Sequence, residues 1–524
     1  MTANKFALLQ FIQTPKSFLG TAADSELWQQ GLTITQDVTK NDVIQLRPAQ
    51  VEAWEGMTKN QLGLLLGPPG TGKTFTISAM ACGLLSACTQ ANRPCRIFVT
   101  GFTRNSIENV LEYIKKFSAK YPQMDFEMAY DRADLIDEED DKKNIPMVNK
   151  YAFLSFLDVE RSVFGGTVWT LFKILDEKRH LPKGGHPQKH LRQAPIFDFL
   201  IIDEASQVQF THGLMAMAGM KDNGRILVCG DDKQLSPIFD AKLEIEDNAA
   251  EKSIYDYLIS HDFPEFALNE TFRLNEPLVE FVSQEYYAGN YISAEPIRNR
   301  TIKYRAKWAA ALPQWQQTIL DPQIPFVALV HDGIEAGKQN PDESQIVLSL
   351  VQSLYNIIPK SENFWEEEIA VISPHRMNNE HLREMLEPIT GEPYVDTVDR
   401  FQGRERNCII YSMCVSDPEF AQHEPNFLYQ PNRLNVGITR ARSKLIFIVS
   451  KNILQPMLRE DEDIENLSSF RRLIFSAQEL GKVELERKDE KNLALEIYGK
   501  AFTTADIERA KRQLQEGSQS TLNN

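Results

Sequence analysis

The segment GPPGTGKT at residues 67–74 constrains this chain more than any other stretch. Gly67, Gly72, Lys73 and Thr74 satisfy the phosphate-loop pattern GxxxxGK[ST], with Pro68, Pro69, Gly70 and Thr71 between them. The apolar run LGLLL precedes the loop and FTISAMACGLLSA follows it, so the loop is expected to join a buried strand to a helix. The chemistry accounts for the residue types. Glycines let backbone N–H groups converge on phosphate oxygens at a helix N-terminus. Lys73 can place a compact positive charge on β- and γ-phosphates. The Thr74 hydroxyl can serve as a ligand to Mg2+.

Two further strand ends supply what nucleotide hydrolysis needs. FLIIDEASQ, residues 199–207, delivers two adjacent carboxylates after an apolar run. Asp203 suits the Mg2+ sphere and Glu204 suits the general base that handles the attacking water. Paired carboxylates alone are common, but downstream of a phosphate loop and after a buried strand they point to hydrolysis of a nucleotide such as ATP. VCGDDKQLSP, residues 228–237, places Gln234 just past another strand, within reach of a γ-phosphate or the lytic water.

The rest of the chain alternates short apolar runs with longer helical stretches, the pattern of parallel sheets covered by helices. Strands are expected at 62–66, 96–100, 199–202 and 226–229 in one sheet. A second set is expected at 326–330, 369–373, 408–413 and 444–449. The reading is an N-terminal segment (1–45), a first domain (46–265) interrupted near 117–162, a second domain (266–475) and a helical C-terminal tail (476–524). The acidic run from Asp131 to Asp141 reads as a solvated face. The basic stretch KRHLPKGGHPQKHLR, residues 178–192, reads as an exposed loop, either merely solvated or touching nucleic acid.

A net charge of −16 argues against coating nucleic acid by bulk attraction. It leaves room for a locally positive groove whose binding is strongly salt dependent. The six cysteines form no CxxC pair and read as buried free thiols of a reducing compartment. No run of about 18 apolar residues is present, and the N-terminus lacks a signal-peptide pattern, so an intracellular protein without membrane attachment is expected.

Taken together, GPPGTGKT, DEASQ, GDDKQLSP, FQGRE and RLNVGITRAR resemble the superfamily 1B helicases of the Upf type. That group includes senataxin-like helicases and the helicase half of the DNA-two nuclease-helicases. The resemblance covers residues 45–450, with the motifs in the family's order. The phosphate loop alone would also fit an AAA-type ATPase; FQGRE and TRAR do not. The resemblance implies an α/β fold of two tandem RecA-like domains, with ATP and Mg2+ held between them and single-stranded RNA or DNA as the track.

Residue by residue, the resemblance implies that Gln50 reads the adenine edge. Arg273 would reach the γ-phosphate, and Arg440 would be the arginine finger, with Arg442 bracing its loop. Phe272 stands where the family often has a stacking tyrosine. Gly403 and Glu405 would form the nucleotide-facing loop, with Glu405 near the ribose and Asp399 supporting the loop or relaying to the nucleic acid. Thr100, Thr103, Asn105 and Thr167 in the first domain, and Pro374 and His375 in the second, would contact the strand.

Upf-type proteins carry a β-barrel inserted near the first domain and a cysteine–histidine-rich regulatory domain. The residues before Gln50 are few for a barrel, and the cysteines do not fit the second. The expectation is a stripped, monomeric 5′-to-3′ helicase or translocase. Its alternatives are a remodelling ATPase that displaces proteins without processive unwinding, and an inactive scaffold. The C-terminal helices read either as a docking element for a protein partner or as a domain cap.

Overall fold

The structure is a computed structural model that describes residues 11, 14–20, 22, 24–40, 45–121, 124–131, 147–148, 159–172, 196–237, 251–359, 363–487 and 491–521. The basic stretch at 178–192 and most of the acidic run lie outside the described residues. The chain divides into two compact units. The first comprises residues up to Asp232 together with Ser236–Asn269, and the second comprises Lys233–Leu235 and Glu270 onward.

The first unit is built on eight parallel strands. They are β1 (Leu62–Leu66), β2 (Cys95–Gly101), β3 (Glu127–Asp131), β4 (Met147–Val148), β5 (Arg161–Gly165), β6 (Phe197–Asp203), β7 (Met220–Gly230) and β8 (Glu265–Ala267), in the order β4-β3-β5-β2-β6-β7-β1-β8. The central strands read as continuous apolar runs because both faces are buried. Ile97, Val99, Phe199 and Ile201 enter one core cluster, while Phe98, Leu200 and Ile202 enter the other. On one face lie α1 (Ser25–Thr39), α2 (Pro48–Lys59), α3 (Lys73–Gln90) and α4 (Arg104–Ser118).

Helix α3 is buried continuously from Thr76 to Cys88, and its small residues have a reason. A Cβ on Gly31 of α1 would lie 2.9 Å from the Gly83 backbone carbon, and one on Gly83 would lie 2.6 Å from Thr35 Oγ1. The glycines let the two helices touch backbone to backbone. The N-terminal stretch is therefore not a separate segment: Trp28 and Leu32 of α1 belong to the core of the first unit.

The second unit carries a short parallel pair, β9 (Glu270–Thr271) and β10 (Ile292–Ser293), and a seven-stranded sheet. The large sheet contains β11 (Phe326–His331), β12 (Ile369–Ile372), β13 (Val395–Asp396), β14 (Arg406–Ser412), β15 (Ala441–Ser450), β16 (Gln478–Leu485) and β17 (Leu493–Lys500), in the order β13-β12-β14-β15-β11-β17-β16. Its first five strands are parallel, and β17 and β16 are antiparallel additions. The helices used below are α5 (Glu276–Tyr286), α6 (Pro341–Ile357), α7 (Arg376–Thr390), α8 (Pro431–Ile438), α9 (Asp461–Phe475) and α10 (Thr504–Thr521). Each unit is thus an α/β layer of mainly parallel strands flanked by helices.

The helical C-terminal tail expected from composition is corrected: among the described residues of 476–524 only α10 is helical, and β16 and β17 extend the sheet. LALEIYGK is rich in helix formers, yet its burial alternates strictly, with Leu493, Leu495 and Ile497 in the core. Pairing with β11 overrides a weak local propensity. All six cysteines are buried and free. Among the described residues, no helix is long and apolar enough to cross a membrane.

Candidate functional site

The phosphate loop leaves β1 and enters α3. Gly70 and Gly72 sit at φ 74° and 80°, a region that favours glycine. A Cβ on Gly67 would lie 2.8–2.9 Å from the Lys73 side chain, so that glycine makes room for the lysine to fold back along the loop. Pro68 and Thr71 are bound into the loop itself, with the Thr71 hydroxyl donating to the Pro68 carbonyl at 2.8 Å. Gln50 lies beside Gly72 and is buried. Its amide oxygen accepts from the Arg47 N–H at 2.9 Å.

Lys73 Nζ lies 3.1 Å from Asp203 Oδ1 and 2.8 Å from Glu204 Oε1. Successive side chains of a strand point to opposite faces, so adjacent carboxylates would normally diverge. Here Glu204 adopts a left-handed conformation, φ 50° and ψ 40°, directly after β6. That turn brings both acids onto one lysine. A non-glycine residue in this region costs on the order of 1–3 kcal/mol, a strain typical of functional positions.

Burial opposes the charge on Lys73, but Asp203 and Glu204 outweigh it and hold the ammonium well above its ordinary range. Burial, with Glu204 adding to it, lifts the Asp203 carboxyl above its ordinary range against the pull of Lys73. Asp203 Oδ1 is buried, with the Lys73 ammonium 3.1 Å away as its neighbour. That atom, with Thr74 at the head of α3, fits a magnesium ion whose remaining ligands are phosphate oxygens and water.

In the second unit the arginines are already engaged. Arg273 donates through Nε to Glu405 and through Nη1 to the Thr439 carbonyl at 3.3 Å. Arg442 lies 3.5 Å from Glu405 Oε1 and also pairs with Glu367. Burial alone would raise the Glu405 carboxyl; Arg273, Arg442 and Arg440 outweigh it and hold it below the ordinary carboxylate range. Gly403 sits at φ 81° in open space on the same loop. Arg440 is 3% exposed, bonded to the Val436 carbonyl at 2.8 Å and, through Nη2, to Gln234 Oε1 at 3.3 Å.

Gln234, assigned from sequence to the first domain, packs instead with the second unit. Asn435 of α8 helps hold it there by donating to the Lys233 carbonyl at 2.7 Å. Asn435 was not among the residues expected from the sequence, where its only signal was a polar amide among apolar neighbours in RLNVGITRAR.

The residues nominated for the strand fare unequally. Thr103 and Asn105 are exposed, and Thr103 caps α4 by accepting from the Ser106 N–H at 3.1 Å. Thr167 is half-buried and bonds the Thr170 hydroxyl at 3.0 Å. Thr100 is fully buried within β2, which makes it part of the core of the sheet and removes it from any surface contact. Pro374 is buried. His375 is 8% exposed, between Phe420 at 5.7 Å and Phe427 at 5.1 Å, with Nε2 unpartnered. Burial lowers its pKa and favours the neutral ring. Asp399 is exposed and paired with Arg433 at 3.3 Å.

Comparisons with known proteins fit this arrangement. Two families, each described as an AAA domain, match residues 50–240 and 250–452. The DNA polymerase alpha-associated DNA helicase A of Saccharomyces cerevisiae is 26% identical over 78% of this chain and 65% of its own length. The DNA replication ATP-dependent helicase/nuclease DNA2 of Mus musculus is 24% identical over 75% of this chain and 36% of its own. The ATP-dependent helicase NAM7 of Saccharomyces cerevisiae is 25% identical over 84% of this chain and 46% of its own. The chain therefore spans between about a third and two thirds of the length of these relatives.

Proposed function

The chain belongs to the superfamily 1 helicases of the Upf and DNA-two type, and from that premise we propose that it is an ATP-driven motor moving 5′ to 3′ along single-stranded RNA or DNA and unwinding duplexes in its path. The observation that carries the reading is the convergence of Lys73, Asp203 and Glu204 behind the phosphate loop.

In the proposed reaction the loop N–H groups and Lys73 hold the phosphates, which draws Lys73 from the carboxylates. Magnesium held by Asp203 and Thr74 would neutralise charge on the phosphate oxygens. Glu204 accepts the proton of the attacking water. The water oxygen bonds to the γ-phosphorus as the bridging bond breaks, and ADP leaves with the electron pair. Arg440 and Arg273 stabilise the charge on the transferred phosphoryl group, Gln234 positions the water or γ-phosphate, and Gln50 holds the adenine. Glu405 and Gly403 face the nucleotide. Thr103, Asn105, Thr167 and His375 are the proposed contacts to the strand.

The test is steady-state ATP hydrolysis with and without matched single-stranded RNA and DNA, beside Glu204→Gln. The expected result is stimulation by at least one polymer, abolished in the variant. Streptavidin should be displaced from a 3′-biotinylated strand and not from a 5′-biotinylated one. Hydrolysis indifferent to both polymers would overturn the motor reading, and displacement from the 5′ end would overturn the direction.

A further inference from the structure

Residues 168–172, just after β5, form a helical turn with two opposed characters. Val168 and Leu171 are buried in the core, and the Thr170 hydroxyl, also buried, donates to Asp131 Oδ2 at 2.6 Å. The turn is therefore anchored to β3 and to the core beneath it. Trp169 and Phe172 are three apart and so share the opposite face. They are 54% and 50% exposed. Trp169 meets the His212 ring edge-on at 5.3 Å, a contact that sets its tilt and leaves half the indole in solvent. Two large aromatics side by side on one anchored turn form a contiguous apolar surface of the kind that marks contact sites.

The neighbourhood identifies the occupant. Strands β2 and β5 run parallel with Val99 opposite Gly165, and the Gly166 N–H donates to the Val99 carbonyl at 3.1 Å. The segments that leave these strands share one edge of the sheet. The segment after β2 brings exposed Phe102, the cap residue Thr103 and exposed Arg104 at the N-terminus of the 15-residue α4. A cation, a hydroxyl and helix N–H groups suit phosphates, while flat rings on the adjoining segment suit bases. A chain of net charge −16 gains little from bulk attraction of a polyanion, so a contribution that does not depend on charge has particular value here.

We propose that Trp169 and Phe172 form a stacking platform for unpaired nucleobases, beside a phosphate-binding edge made by Thr103, Arg104 and the start of α4. The platform rests on the nucleic-acid-motor reading and deepens it. It tolerates any sequence because every base has a π-face, as a motor requires.

The test compares a fluorescently labelled oligothymidylate with an abasic oligomer of the same length and charge, at two salt concentrations. Trp169→Ala should weaken oligothymidylate binding about tenfold. The loss should be the same at both salts, and binding of the abasic oligomer should be unchanged. Trp169→Phe should keep most of the affinity. Arg104→Ala should weaken both oligomers and reduce the salt slope by about one. Oligothymidylate, and not the abasic oligomer, should quench tryptophan fluorescence of the unaltered protein, and Trp169→Phe should remove that quenching. The quenching carries the test even if Trp169→Ala does not fold. Equal loss for both oligomers, or no loss for either, would overturn the platform while the motor reading stands. Failure of the unaltered protein to bind either oligomer, and equally a matched oligouridylate, would overturn the motor reading itself, and the platform with it.

Discussion

The phosphate loop of the first unit and the arginine loops of the second solve opposite charge problems. In the first, one lysine serves two carboxylates, all within a site where Lys73 and Asp203 are nearly buried. In the second, two arginines share the single carboxylate of Glu405, which stays more than a third exposed. The first arrangement is held by burial, so each charge is costly to remove. The second converges on a carboxylate more than a third exposed, where water can exchange for a partner and each pair is worth less.

Substitutions at four residues would break or sharpen that comparison. The largest effect is expected for Arg440→Ala, which should lower stimulated ATP hydrolysis about 10³–10⁵-fold. Arg440→Lys should not restore it, because a point charge does not replace a planar fork. A smaller loss, about 10²–10⁴-fold, is expected for Glu204→Gln, with nucleotide binding retained in an equilibrium assay. Loss of binding together with rate would mean that Glu204 holds the loop and does not handle water.

Lys73→Ala should also cost stability, because it strands the buried Asp203 carboxylate. Urea unfolding without nucleotide should show a loss of about 3–5 kcal/mol. A loss no greater than that of Glu405→Gln would remove the contrast between a buried and an exchangeable site.

The smallest effect is expected for Glu405→Gln, and pH gives its sign. The folded-state pKa of Glu405 is depressed, so its pairing stabilises the protein above the ordinary carboxylate range and is lost as pH falls through the depressed value. The difference in denaturation midpoint between the unaltered protein and Glu405→Gln should be present at neutral pH and shrink on acidification. A difference that grows on acidification would contradict the pairing.

Much of this was legible in one dimension, for a definite reason. A phosphate loop needs particular residue types at fixed spacing between a strand and a helix, so GPPGTGKT announces β1, the loop and α3 together. The apolar runs at 199–202 and 444–449 announce strands because burial on both faces leaves no polar alternation. Residues 493–500 show where local reading stops. Their helix-forming composition was the louder signal, and only the availability of the β11 edge made the alternation of Leu493, Leu495 and Ile497 decisive. Thr100 failed for a related reason: its place at a strand end was read correctly, but its burial depends on β6 alongside it.

By itself, the sequence determined the chemistry present: a phosphate cradle, paired carboxylates, a glutamine and arginines in an order one family uses. These are covalent spacings, and spacing survives without a fold. The tertiary structure decided the partners. The left-handed turn at Glu204 put two adjacent acids on one lysine, Gln234 joined Arg440, and Glu405 took Arg273. Those pairings span 130 residues or more of chain, and no local preference encodes them. They arise because packing brings distant charges into low-dielectric surroundings, where each must find an opposite charge or a hydrogen bond.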